Sequence, residues 1–207
     1  MTARGPEVRL LRAGSVLRDE GGVVVDASSS VSLVLAGDAR IVVDTALPRD
    51  APAVLAALAR EGLRPGDVDM VFNTHNHIDH TGGNDLFGRA EVVLHALEGE
   101  PRRGRDRVRH LDGDSVLAPG VRAFTTPGHT RGHMSVLVSA PDGPWVIAGD
   151  ALPTEDNLRK GVPPGLHYDP EVAMRSLRAI AAAARWVVPG HGPTFEVAAV
   201  MAERTSE

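Results

Sequence analysis

The chain holds 207 residues with a formal net charge of -5, 43% hydrophobic and 24% charged residues. That composition excludes a disordered or fibrous chain and fits one well-buried domain over 1–207. Cysteine is absent and aromatic residues make up 3%, so there is no disulfide framework, no thiol nucleophile and no base-stacking platform. The acidic balance argues against nucleic acid held by bulk charge, and Lys160 as the single lysine limits Schiff-base chemistry; nine histidines are the count that stands out.

The first part of the chain reads as strands. Val8–Leu17, Gly22–Asp26, Val31–Leu35 and Arg40–Asp44 are runs rich in valine, leucine and isoleucine, separated by Asp19-Glu20-Gly21-Gly22 and by Gly37-Asp38, which predicts a hairpin. Apolar residues then recur at helical spacing from Asp50 to Glu61, with Gly62 beyond the end, and Met70–Asn73 reads as a short buried strand. The same grammar returns in the second half. Strands are predicted over Glu91–His95, Val121–Thr125, His133–Ser139, Trp145–Ala148 and Trp186–Val188, and helices over Pro170–Arg185, with Asp169 as N-cap, and over Glu196–Glu203. The punctuated stretch Leu152–Tyr168 reads as a loop. Two strand-rich halves, each followed by a helix, predict an α/β sandwich with two packed mixed sheets inside and helices on the outer faces. No run of about 18 apolar residues occurs, so the chain is expected to be soluble and cytoplasmic, with no membrane span.

The strongest chemical signal is Thr74-His75-Asn76-His77-Ile78-Asp79-His80-Thr81-Gly82-Gly83-Asn84, directly after a predicted strand. In an extended segment His75 and His77 point the same way, and Asp79 and His80 fall on the turn that follows. Imidazole and carboxylate are the donors that Zn²⁺ takes when no thiolate is available. Three further ligand-type residues follow predicted strands and stand beside glycine: His129 in Pro127-Gly128-His129, Asp150 in Gly149-Asp150 and His191 in Gly190-His191-Gly192. Strand ends on one edge of a sheet bring such groups together.

These segments, with Thr126-Pro127-Gly128-His129-Thr130, resemble the motif series of the metallo-β-lactamase-fold hydrolases from about Val31 to Phe195. The resemblance implies an αββα sandwich with a dinuclear zinc site and a bridging hydroxide. It implies that His75, His77 and His129 bind one ion, that Asp79, His80 and His191 bind the second, and that Asp150 bridges both. Asp79 would also orient the nucleophile or take its proton. The expected reaction is cleavage of an ester, lactone, thioester or phosphodiester bond in a small-molecule substrate. Iron or manganese are further possibilities for the metal. Pro65-Gly66-Asp67-Val68, Asn84-Asp85-Leu86-Phe87, Leu111-Asp112-Gly113 and Val187-Val188-Pro189-Gly190-His191-Gly192-Pro193 resemble the branch around metallo-β-lactamase domain-containing protein 1 and its microbial relatives. An animal protein of that branch is associated with RNA cleavage, which makes a nuclease one alternative; a mononuclear iron sulfur dioxygenase of the same fold is another. Oligomeric state is not legible.

Arg102, Arg103, Arg105, Arg107 and Arg109 crowd one segment; a solvated surface loop is the favoured reading, a phosphate contact the other. His133 is expected to support a metal ligand by a hydrogen bond or to start a strand. His95 and His110 read as structural or exposed, and His167 and Tyr168 as candidate substrate contacts.

Overall fold

The computed structural model describes residues 5–204. Two six-stranded mixed sheets face each other. The first contains β1 (Glu7–Arg12), β4 (Val31–Ala36), β5 (Ala39–Val43), β6 (Met70–Phe72), β7 (Glu91–His95) and β8 (Val108–Leu111) in that spatial order. The second runs from β9 (Ser115–Ala118) through β10 (Val121–Thr125), β11 (Met134–Ala140), β12 (Gly143–Gly149) and β13 (Trp186–Pro189) to β14 (Phe195–Glu196). A separate hairpin, β2 (Ser15–Arg18) with β3 (Val24–Ser28), stands apart from both sheets.

The alternation of side chains along each strand explains the layers. In the first sheet Val34, Ile41, Val43, Phe72 and Val93 point inward and meet Ala123, Met134, Val136, Ile147 and Val188 of the second. Leu33, Val42, Val71 and Val92 point the other way and pack on Val54 and Leu58 of α1 (Ala51–Arg60). Val146, Ala148 and Val187 of the second sheet pack on Leu177 and Ile180 of α4 (Pro170–Ala183). Strands covered on both faces need near-continuous apolar sequence, which is why these runs were conspicuous. The αββα sandwich is therefore as expected. β5, β6, β7 and β8 are parallel neighbours, as are β12 and β13, so the loops after them leave from the same end of their sheet.

Several boundaries differ from the expectation. Val8–Leu17 is two strands broken at Ala13-Gly14. A Cβ on Gly14 would lie 2.5 Å from the Ser30 nitrogen and 2.7 Å from the Gly190 oxygen, so the chain passes too close to the His191 loop for any side chain. β8 and β9 lie where no strand was expected: Val-Arg-His-Leu is polar, and β8 and β9 are edge strands. His80 and Asp79 sit on a one-turn helix, α2 (Ile78–Thr81), rather than an open turn. Leu152–Tyr168 contains α3 (Glu155–Lys160), closed by Gly161 in the left-handed region at φ 63°. Asp169 caps α4 as expected, accepting from the Glu171 and Val172 nitrogens, whereas α5 spans Val197–Arg204.

Candidate metal centre

Each predicted ligand is delivered by a strand end. The chain leaves β6 extended through His75 and His77, then turns into α2, where the His77 carbonyl accepts from the His80 and Thr81 nitrogens. Close approach explains the glycines that follow: a Cβ on Gly83 would meet the Thr45 oxygen at 2.4 Å. His129 follows β10, Asp150 follows β12 and His191 follows β13. A Cβ on Gly190 would lie 2.1 Å from Asp150 Oδ1, so Gly190 is what lets the two loops meet.

All seven residues come together in two groups. His129 Nε2 lies 3.2 Å from His75 Nε2 and 3.0 Å from His77 Nδ1, and 3.5 Å from Asp150 Oδ2. Around Asp150 Oδ1, His80 Nε2 stands at 3.3 Å and His191 Nε2 at 3.2 Å. Asp79 Oδ2 lies 3.7 Å from His80 Nε2 and 3.6 Å from His191 Nε2. Donors about 2.0–2.1 Å from a tetrahedral ion are separated by about 3.3 Å, so both groups have the spacing of a coordination shell. His80 Nε2 and Asp150 Oδ1 are buried without a hydrogen-bond partner. An orphaned pair of that kind is costly unless something else binds it. The residues present therefore fit metal ions.

The far sides of the rings are fixed. His129 Nδ1 donates to the Leu166 carbonyl at 2.7 Å and His191 Nδ1 to the Ser28 carbonyl at 3.0 Å. His80 Nδ1 donates to Asp44 at 2.7 Å. Each such bond selects the tautomer whose Nε2 lone pair faces the centre. Burial, then the neighbouring rings, push the pKa of His75 well below the ordinary histidine value and lower that of His77, favouring the neutral form that binds metal. Burial opposes charge on His80, but Asp44 and Asp150 outweigh it and raise its pKa well above the ordinary value. Burial also opposes ionisation of Asp150, and His80 with His191 overcomes it and holds the carboxyl well below the usual range. A divalent cation here would take over the stabilising role of those protons and displace them.

Three supporting residues matter. Asp44, adopting φ 56° after β5, accepts from Thr74 N at 2.9 Å and Thr74 Oγ1 at 2.8 Å besides holding His80. The sequence reading saw only a strand end there; an acidic residue closing an apolar run was the available signal. Glu98 is marked by no motif in the sequence. Its Oε2 accepts from Asn76 N at 2.9 Å and its Oε1 from Gly132 N at 2.9 Å, tying the His75–His80 segment of one sheet to the His129 loop of the other. His133 bonds none of the seven candidate ligands, contrary to the expectation: Nδ1 bonds Thr126 Oγ1 at 2.9 Å and Nε2 accepts from Ala151 N at 3.2 Å, so it braces the backbone that follows Asp150 and stands directly ahead of β11. Glu98→Ala should leave both amides unpartnered and weaken metal affinity about tenfold. Competition against a chelator checks this; unchanged affinity would remove Glu98 from the account.

A cavity of about 900 Å³ opens over His77, Asp79, His129, Asp150 and His191, between the β2–β3 hairpin and the α3 region. Leu166 lines it but His167 and Tyr168 do not. His167 Nδ1 donates to the Pro164 carbonyl, and Tyr168 packs under Arg131, whose guanidinium lies 4.9 Å from the ring centre. Arg102, Arg103 and Arg107 border a separate cavity with Asn84 and Asp85. Arg109 lies on β8, not in a loop, and pairs with Glu91 at 2.9 Å. His95 accepts from Leu97 N, and His110 donates to the Gly99 carbonyl, so both are structural.

A family model described as the Metallo-beta-lactamase superfamily matches residues 24–191. The chain belongs to that superfamily and is a metallo-hydrolase. It is similar to metallo-β-lactamase domain-containing protein 1 of Xenopus laevis, 36% identical over 186 residues covering 87% of this chain and 77% of that protein. It is also similar to a probable metallo-hydrolase of Methanocaldococcus jannaschii, 32% identical over 89% of this chain and 86% of that one. An N-acyl homoserine lactonase of a Bacillus species is 30% identical over 60% of this chain and 54% of its own length. Among solved structures, a Thermotoga maritima metallo-β-lactamase-like protein superposes with a TM-score of 0.76 at 22% identity, covering 93% of this chain and all of that one. A Bacillus thuringiensis AiiA variant with N-decanoyl-L-homoserine bound superposes with a TM-score of 0.72 at 22% identity, covering 92% and 94%. No helix among the described residues is long and apolar enough to cross a membrane.

Proposed function

We propose that the protein is a dinuclear zinc hydrolase of small molecules, in which His75, His77 and His129 hold one ion, Asp79, His80 and His191 the other, and Asp150 serves both. The observation that carries this reading is the pair of donor groups meeting at Asp150, with Oδ2 facing the first and Oδ1 the second. Two groups speak for two ions rather than the single iron of a dioxygenase, and mostly imidazole donors favour zinc over the hard-ligand metals. When bound, the ions supply Lewis acidity and bring the pKa of water to about 7.

The chain's own residues supply the rest. His80 and His191 are fixed from behind by Asp44 and the Ser28 carbonyl, so the donor geometry is set before substrate arrives. Asp79 is the part-exposed carboxylate at the cavity floor, placed to orient a water molecule and to hold a proton during attack on a carbonyl or phosphorus centre. The hairpin and α3 limit access of bulk water from either side. A panel of chromogenic esters, lactones, thioesters and phosphodiesters, run before and after chelator treatment, tests the reading. Turnover abolished by the chelator and restored by zinc is the expected result; turnover indifferent to the chelator would contradict it.

A further inference from the structure

The side chains above the donor cluster carry a chemical signature of their own. Val23 (62%), Val24 (45%), Val162 (42%) and Leu166 (64%), four of the exposed large hydrophobic side chains among the described residues, all line this one cavity. Val16 and Ala27 are register partners, as are Arg18 and Val24, and all four side chains border the cavity, so one face of the hairpin is turned towards the site. Exposed aliphatic groups concentrated on a cleft mark a ligand surface. No Phe, Tyr or Trp lines it, so the walls offer bases no large stacking platform.

The charges are equally selective. On α3 the charges are paired with one another, Glu155 with Arg159 and Asp156 with Lys160. Arg18 is different: it donates to the Gly22 carbonyl within its own hairpin and has no ion-pair partner among the described residues. Its guanidinium also reaches across the opening, to 3.8 Å from where a Gly165 side chain would begin. One unpaired guanidinium beyond an aliphatic wall suits a single terminal anion. A polyphosphate backbone would need a row of cations.

We propose that the substrate is a carboxylic ester whose acyl arm is aliphatic and ends in an anionic group, preferably a carboxylate, and that Arg18 is the residue that selects it. This rests on the hydrolase reading above and adds the substrate class. The aliphatic arm lies along Val16, Val24 and Leu166, the scissile carbonyl sits over the donor cluster, and the distal anion meets the Arg18 fork. Hydrolysis breaks the acyl C–O bond, water supplies the new acyl oxygen, and its second proton goes to the departing alkoxide.

The test compares p-nitrophenyl hexanoate with mono-p-nitrophenyl adipate, which share a chain length and differ by a methyl or a carboxylate at the far end. The zinc-loaded wild type should prefer the adipate in kcat/KM, and Arg18→Ala should reduce that preference about tenfold or more, the scale of one charge-assisted hydrogen bond. Arg18→Lys should keep part of it. Arg122→Ala, which removes an exposed ion pair with Asp114 on the second sheet, should keep all of it. Calorimetric titration with free adipate and free hexanoate gives the comparison without turnover; adipate should lose its margin in Arg18→Ala. A preference that is absent, or that survives Arg18→Ala, overturns the assignment. Cleavage of labelled single-stranded RNA without ester hydrolysis overturns the substrate class and leaves a metallo-hydrolase. Failure of the metal-replete protein on every probe overturns the inference together with the hydrolase reading beneath it.

Discussion

Asp79→Asn is expected to fold normally and to lose kcat by about a hundredfold or more, the range for removing a positioned acid–base group. The fold should tolerate the change because the Asp79 side chain makes no structural hydrogen bond: its polar neighbours are His80 Nε2 at 3.7 Å and His191 Nε2 at 3.6 Å. Its backbone carbonyl, which accepts from Ser29 N, is untouched. Asparagine keeps the shape and loses both the negative charge and the capacity to take a proton. The donors His75, His77 and His129 are unchanged, so one ion should be retained. Thermal unfolding, metal content and kcat measured on one preparation check the three statements together. Near-wild-type kcat would take Asp79 out of the catalytic apparatus.

His77→Ala should abolish activity and lower metal content, because it removes the nitrogen 3.0 Å from His129 Nε2 and leaves its group with two imidazoles. The matched control is His110→Ala. His110 is partly exposed, donates to the Gly99 carbonyl at 3.2 Å and contributes no atom to any of the donor groups. His95 is a poorer control, since it is buried and its ring caps the Ala96–Glu98 turn by accepting from Leu97 N. His110→Ala should retain full metal content and turnover. Equal behaviour of the two variants would show that the cluster around His77 is not a ligand set.

What was legible in the sequence follows from what is local. The core strands could be read because Leu33, Val42 and Val71 face a helix layer while Val34, Val43 and Phe72 face the other sheet, which makes both faces of each strand apolar. The candidate ligands could be read because four fall within the short His75–His80 segment and the rest sit beside glycines forced by close approach, such as Gly190. β8 escaped because an edge strand carries Arg109 and His110 without penalty. α3 escaped because Pro153, Gly161, Pro163 and Pro164 obscured it, although Glu155 and Asp156 ahead of Arg159 and Lys160 is the charge order that favours a short helix. Glu98 carries no sequence signal and Asp44 only that of an acidic residue closing an apolar run, because their roles exist through pairing with His80, Asn76 and Gly132 across the fold. The cavity wall was equally hidden: Arg18 and Val24 become neighbours of the α3 region only once the hairpin folds over the site.

Two groups of donors that share Asp150 should hold two ions. Metal analysis of the purified protein by elemental spectrometry, followed by zinc titration of chelator-treated protein, counts them. The expected result is close to two transition-metal ions per chain, mainly zinc, with the second lost in Asp150→Ala. A wild-type protein that saturates at one ion, or takes up none, would contradict it.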